Sequence, residues 1–333
     1  MKSSPETWAY VAPGGAGSWI MPTRRLLTSD IDEQSALLTG WNQSYDQLSA
    51  GRFTGELTEA RLGSTYFFRE VTSTALRQTG ALGHDLCAIG VPLALEGVAT
   101  FCGDACGSAK LHLFSGSDGF EFHSPSGLDI LGVVLPRADL VAPLVEEDFA
   151  RVEPLLARPG LLPTDPKAMA EFARLARESL ELLAERDCVP RRLTTMEREL
   201  RAALIRALLE TEERAGPPPL TLARRARLMR EARDYAARDT AEAVPSVEEI
   251  CQALHVSRRT LQYCFQEAVG AKPATYLRAV RMNGARRSIK AGESVTDAAT
   301  HWGFWHFGRF AREYRFLFGE LPSATARRHC RPR

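Results

Sequence analysis

The spacing of apolar and polar positions changes character several times along the chain. Residues 1–30 keep no sustained period and read as a flexible lead-in, with "APGGAGS" near the start. Over 29–51 the apolar positions Ala36, Leu37 and Trp41 fall on one side of a helical repeat. From about 52 to 140 short alternating segments take over: "STYFFREV", "HDLCAIGVPL", "GVATFC", "KLHLFSG", "FEFHSP" and "LDILGVVLP", separated by Gly, Ser, Asp and Pro. Short strands at that spacing predict an all-β barrel or jelly roll. The helical period returns over 165–214. One helix runs up to Pro190, and a second opens at Thr194 with Glu197 as its capping-box partner. Their apolar stripe (Phe172, Leu175, Leu182 and Leu183, then Leu200, Leu204 and Leu208) is either a dimerisation surface or packs on the β segment. "AGPPPL" at 215–220 cannot continue a helix and reads as a linker.

Residues 221–333 read as all helix and contain two segments of the same design. In the first, Ser246 and Glu249 form a capping box, "HV" makes a turn, and Ser257 caps a second helix. On that helix Leu261, Cys264, Phe265 and Ala268 share one face, and Arg259, Gln262, Tyr263 and Gln266 the other. In the second, Ser294 with Asp297 caps a helix and Gly303 supplies the turn. Phe307, Phe310, Ala311, Tyr314 and Leu317 then share the apolar face, opposite Trp305, His306, Arg309, Arg312 and Glu313. Residues 273–290 read as one connecting helix of about 25 Å. Arg can bond guanine, and Gln adenine, bidentately in the major groove. A long-armed polar face on the second helix of a helix-turn-helix is what groove reading requires. Such a face is also what any solvated helix presents; two in succession favour the reading of DNA.

Charge sharpens that picture. Residues 221–333 carry 21 Lys/Arg against 11 Asp/Glu, leaving 21 and 30 for residues 1–220, within a chain whose net charge is only +1. A basic third on an acidic body suits a polyanion partner for that third alone. Arg258, Arg278, Arg286, Arg287 and Arg315 are the candidate phosphate contacts. Hydrophobic content of 44% and charged content of 25% are those of a globular protein. With no apolar run of membrane-spanning length and no signal region after Lys2, a cytoplasmic address without membrane partners is expected.

Enzymatic chemistry finds little support. The seven cysteines are odd in number and lie mostly in apolar surroundings, as reduced thiols do. Cys102 and Cys106 lack a second pair or a histidine at ligand spacing, and no metal site is expected. His112 and His123 each stand alone, short of the three ligands that a metal-dependent cupin-type enzyme would need. No catalytic residue, nucleophile elbow, Walker loop or dinucleotide loop is found. Phe67, Arg69, His84, His112 and Phe114 are candidates to line an effector pocket inside the β domain, and equally ordinary core and rim residues.

The stretches "SVEEICQALHVSRRTLQYCFQEAVGAKPATYLRAVRMNGARRSI" and "SVTDAATHWGFWHFGRFAREYRFLFGELPS" resemble the AraC/XylS family of transcription regulators, over about 100 residues. The resemblance implies that both motifs bind double-stranded DNA, and that a variable N-terminal domain senses a small molecule or dimerises. It carries the family's reading positions to Arg259, Gln262 and Tyr263, and to His306, Arg309 and Arg312. The commonest family pattern is departed from at Ala298–Ala299 and Gly308. "DQLSAGRFTGELTEARLGSTYFFREV" followed by "AIGVPL" is similar, over about 90 residues, to a subgroup that includes the ethanolamine-operon regulator. That likeness implies ethanolamine, with or without adenosylcobalamin, as effector.

The expectation is therefore an α+β chain. A regulatory domain (31–214; β-rich at 52–140, helical at 165–214) precedes a DNA-binding domain (221–333) with helix-turn-helix motifs at 246–267 and 294–315. It would be an effector-responsive activator, acting with RNA polymerase and as a homodimer; control by a partner protein on the acidic body is the alternative.

Overall fold

The computed structural model describes residues 20–107, 110–115, 119–185, 190–211, 220–236 and 245–329. In the N-terminal half, β1 (Ile20–Thr28) leads through the short helix α1 (Ile31–Leu37) into β2 (Trp41–Gln47). Then follow β3 (Gly55–Leu62), β4 (Thr65–Thr72), β5 (Leu76–Leu82), β6 (Leu86–Ala94), β7 (Thr100–Phe101), β8 (Asp104–Ala105), β9 (Lys110–Phe114), β10 (Phe120–Ser124) and β11 (Leu128–Pro136). Helices α2 (Arg137–Val141) and α3 (Glu146–Leu155), strand β12 (Gly160–Pro163), and helices α4 (Pro166–Leu182) and α5 (Pro190–Leu209) complete it.

The strands form two antiparallel sheets, in the orders β1-β3-β4-β11-β6-β9-β12 and β2-β5-β10-β7-β8. Among the described residues no ladder joins the end strands, so of the expected barrel or jelly roll the closed barrel is excluded and a sandwich of two open sheets is found. Closure needs paired end strands. Here the outer strands are blunted by Pro22, beside a bulge in β1, and by the brevity of β12.

Both faces of the larger sheet are buried. Phe67, Leu113 and Val133 pack under Phe172, Leu200 and Leu204 of α4 and α5. The alternate residues Tyr66, Phe68, Phe114 and Ile130 meet Phe101, Phe120 and Phe122 of the smaller sheet. The leucine stripe of α4 and α5, Leu182, Leu183 and Leu208 included, is spent on this core and is not free for a second subunit.

Three other expectations change. The helix expected over 29–51 ends at Leu37, because Gly40 turns the chain at φ 83° and Trp41 enters the aromatic core of the sandwich. α5 starts at Pro190 rather than Thr194; proline suits a first helical position, where no intrahelical N–H partner is needed. Part of the expected lead-in, Ile20–Thr28, is an edge strand paired with β3, while residues 1–19 lie outside the described residues. Of the expected linker only Leu220 is described.

The C-terminal half holds α6 (Leu220–Ala236), α7 (Val247–Ala253), α8 (Arg258–Val269), α9 (Pro273–Lys290), α10 (Val295–His301), α11 (Phe307–Phe318) and α12 (Pro322–His329). α9 ties two small cores together, contributing Tyr276 and Leu277 to one and Met282, Ala285 and Ile289 to the other. β2 lies against α9. Gln47 N donates to Asn283 Oδ1 and Asn283 Nδ2 to Gln47 O, each at 2.9 Å, and Leu48 packs against both small cores. No described helix is long and apolar enough to cross a membrane.

Candidate nucleic-acid interface

Each helix-turn-helix is built by the local chemistry of its sequence. Ser246 Oγ accepts from Glu249 N at 3.2 Å while Ser246 N donates to Glu249 Oε2 at 2.7 Å, a complete capping box for α7. Ser257 Oγ accepts from Thr260 N at the start of α8, and Ser294 Oγ from Asp297 N at the start of α10. The two inter-helix turns match bond for bond. His255 N donates to Gln252 O and Val256 N to Cys251 O; Gly303 N donates to Thr300 O and Phe304 N to Ala299 O. Both turns pass through the left-handed region, at φ 51° for His255 and 73° for Gly303. Glycine enters it freely and histidine does not.

The second helix of each unit buries one face and exposes the other. Leu261, Cys264 and Phe265 of α8 and Phe310, Tyr314 and Leu317 of α11 are core. Arg259, Gln262, Tyr263 and Gln266, and His306, Arg309 and Arg312, are exposed together with Trp305. Phe307 departs from its expected place in the core and is 46% exposed, its position being taken by Phe304. Leu261 and Phe310 are the first fully buried residues of their helices, and the left-handed glycines Gly270 and Gly319 close both helices at the same distance beyond them. In that register Tyr263 corresponds to Arg312, and Gln266 to Arg315.

Residues 250–328 match the sequence profile of a helix-turn-helix domain. The probable thc operon regulatory protein of Rhodococcus erythropolis is 41% identical over 86 residues, covering 25% of this chain and 26% of that protein. XylDLEGF operon transcriptional activator 1 of Pseudomonas putida is 38% identical over 87 residues, again 25% and 26%. The C-terminal region is a helix-turn-helix domain, similar over that stretch to the corresponding part of these operon regulators. The chain thus spans about a quarter of the length of these curated relatives. Among solved structures, the AraC-like transcriptional activator CuxR covers 84% of this chain and all of its own at 15% identity and TM-score 0.42.

The arginines of the helix-turn-helix domain do not all face outward. Arg286, expected at a phosphate, is 4% exposed, with Nη2 2.9 Å from Asp30 Oδ2 and its guanidinium over the Phe318 ring. The periodicity of an isolated helix cannot show that a second domain covers that face. Arg287 pairs with Asp46 at 2.9 Å, Arg278 with Glu313, and Arg258 with Glu248 at 2.6 Å. Arg309 is held along α11 by Glu313 at 2.8 Å. Burial opposes ionisation of Glu313, but hydrogen bonds from Arg309 and Arg278 outweigh it and keep the carboxyl below its usual range. Arg259, Arg312 and Arg315 are exposed without an ion-pair partner among the described residues. One basic residue was missed: Arg225 of α6 lies over the Tyr263 ring at 4.9 Å and donates to its hydroxyl at 3.4 Å. The "ARRAR" run was its only sequence signal.

The five candidate effector residues do not converge. Phe67 faces the helical layer, whereas Phe114 lies on the opposite side of the same sheet. Arg69 is exposed and paired with Asp129 at 2.6 Å, and His84 is exposed in the β5–β6 turn. Only His112 and Phe114 share a neighbourhood, with Phe101 stacked on the imidazole at 5.0 Å. Burial lowers the His112 pKa to about 3, so the ring is neutral. Among the described residues no cluster of His, Cys, Asp or Glu could hold a metal ion.

Proposed function

We propose that the chain is a sequence-specific double-stranded DNA-binding transcription regulator, an activator whose N-terminal sandwich answers to a small molecule. The single observation that carries this reading is the pair of helices α8 and α11. Each has its apolar face buried and its polar, arginine-bearing face open, and both stand on one basic domain joined by α9. At 1.5 Å per residue α9 is roughly 27 Å long, short enough to set the two helices in neighbouring major-groove segments on one side of a duplex. Arg259, Gln262, Tyr263 and Gln266 would read bases from α8, and His306, Arg309, Arg312 and Arg315 from α11. Arg258 and Arg225 would hold phosphates. Activation through RNA polymerase accords with the activator names of the curated relatives.

The organisation that follows is a regulatory domain reaching back to β1, residues 215–220 as linker, and a DNA-binding domain from α6 onward. The deciding experiment is selection of genomic fragments by the full chain at about physiological salt, followed by titration on the recovered site and on a scrambled one. A preference of about a thousandfold or more is expected of a specific regulator. Equal affinity for both would end the reading.

A further inference from the structure

A cleft of about 340 Å³ opens between the sandwich and the first helix-turn-helix unit. On the sandwich side it is walled by Ser49, Val98 and Ser124; on the other side stand Ala271, Thr275 and Tyr276, where the chain turns from α8 into α9. We propose that this interdomain cleft binds an uncharged small molecule with an apolar body and one or more hydroxyl or carbonyl groups. The proposal rests on the reading of the sandwich as a regulatory domain and names the place and chemistry of its ligand.

Size is the first argument. At about 30 Å³ per water the cleft has the volume of roughly ten waters, and it falls within the range of about 300–1,000 Å³ common for ligand pockets. The lining gives the chemistry. Its polar groups are hydroxyls and the His123 imidazole, and none of its residues is Lys, Arg, Asp or Glu. The charges behind His123 satisfy one another, with Glu121 2.7 Å from Arg77 and 2.8 Å from Arg233. Burial lowers the His123 pKa to about 4 despite Glu121, so that group too is neutral at ordinary pH. A carboxylate or ammonium would lose its hydration here and gain no counter-ion.

Ser124 supplies the independent sign of a missing partner. It is 3% exposed and belongs to the cleft wall, and its Oγ, closed to solvent in this conformation, has no hydrogen-bond partner, so that a turn of the side chain would present the hydroxyl to an occupant. Buried hydroxyls are normally satisfied. The cleft is also placed to transmit binding. Thr100 Oγ1 donates to the Ala268 carbonyl at the end of α8 at 3.1 Å, and His123 Nε2 meets Tyr276 Oη at 3.0 Å. A molecule seated between these two ties fixes the distance of the first reading helix from the sheet.

Three probes with one body separate the chemistry: 2-phenylethanol, phenylacetate and phenethylamine, each titrated into the full chain without DNA and located in soaked crystals. The neutral alcohol is expected in the cleft with its oxygen at Ser124. The two charged congeners should bind about tenfold or more weakly, and Ser124→Ala should weaken the alcohol by roughly fivefold. Ala271→Trp, filling the cleft from the helical side, should abolish binding; Val98→Trp, from the exposed opposite wall, serves if the first variant fails to fold. The proposal is overturned if no probe enters the cleft, if the charged probes bind as well as the alcohol, or if the alcohol lodges instead beside Trp41 and Phe114. Because no readout involves DNA, a negative result leaves the DNA-reading assignment standing, and loss of DNA recognition would leave cleft occupancy measurable.

Discussion

Arg286 Nη2 lies 2.9 Å from Asp30 Oδ2 across 256 residues of sequence, and both side chains are almost wholly removed from solvent. Lys290 joins them, 2.6 Å from Asp30 Oδ1 and 2.7 Å from Asp32 Oδ2. The basic flank of α9 is therefore neutralised by the N-terminal half of the same chain, which makes Arg286 an interdomain clasp. Removing one partner of a buried pair leaves a charge without compensation, typically at a cost of about 3–5 kcal/mol. Arg286→Met should destabilise the full chain by about 2–4 kcal/mol in urea, reduced from that range because Lys290 still serves Asp30. The salt dependence of DNA binding should keep its slope. A slope lower by about one unit would restore Arg286 to the phosphate contacts.

The same clasp sets an acid limit. Burial works against ionisation of Asp30, yet the Lys290 hydrogen bond and the Arg286 and Lys290 charges hold its pKa at about 2, below the ordinary 3.8. A carboxyl depressed in the folded state stabilises fully above its unfolded pKa and less as pH falls toward the folded one. Wild-type stability should therefore decline between about pH 4 and pH 2, and Asp30→Asn should flatten that decline. An equally steep decline in the variant would assign the acid limit to other carboxyls.

Glu70 has the opposite sign. It is fully enclosed, accepting from Gln34 Nε2 and Tyr45 Oη at 3.0 Å, and burial raises its pKa from 4.5 to about 6 over the opposition of those bonds. Its contribution is thus complete below about pH 4.5 and is lost as pH rises through 6. At about 1.4 kcal/mol per pKa unit, ionised Glu70 costs on the order of 2 kcal/mol at neutral pH. Glu70→Gln should raise stability at pH 7.5 by about 1–2 kcal/mol and leave it unchanged at pH 4. Measured loss at pH 7.5 would mean that the carboxylate has a cation partner in solution.

The two turns offer a backbone test. His255 occupies with φ 51° the place that Gly303 fills at 73°. A non-glycine residue in the left-handed region pays about 1 kcal/mol, so His255→Gly should stabilise the full chain by about 0.5–1 kcal/mol, and Gly303→Ala should destabilise it. No gain in the glycine variant would show that the exposed imidazole makes a contact of its own.

On DNA, Arg312 and Arg258 should separate. Arg312→Ala is expected to cost about 1–3 kcal/mol at the cognate site and to relax preference at one base pair. Arg258→Ala should weaken cognate and scrambled DNA alike and lower the salt slope by about one. Gel-shift titrations at several salt concentrations distinguish these outcomes; uniform loss in both variants would remove the distinction between reading and anchoring residues.

The caps and turns of the C-terminal region were legible because they are local. Ser246, Ser257, Ser294 and Gly303 act on backbone within a few residues, and a period of 3.6 sorts Leu261 from Gln262 without knowledge of the rest of the chain. Six of the strands were likewise visible in their alternation. β1 and β12 were not, since an edge strand rich in Arg and a four-residue strand bury too little to impose a pattern. What the sequence could not express was which surfaces meet. Whether the α4–α5 stripe dimerises or covers a sheet, whether Arg286 faces phosphate or Asp30, and whether Phe67 and Phe114 share a pocket depend on contacts between residues tens to hundreds of positions apart. Such contacts are fixed by burial of apolar surface and compensation of charge across the whole molecule, and only the tertiary structure decides them.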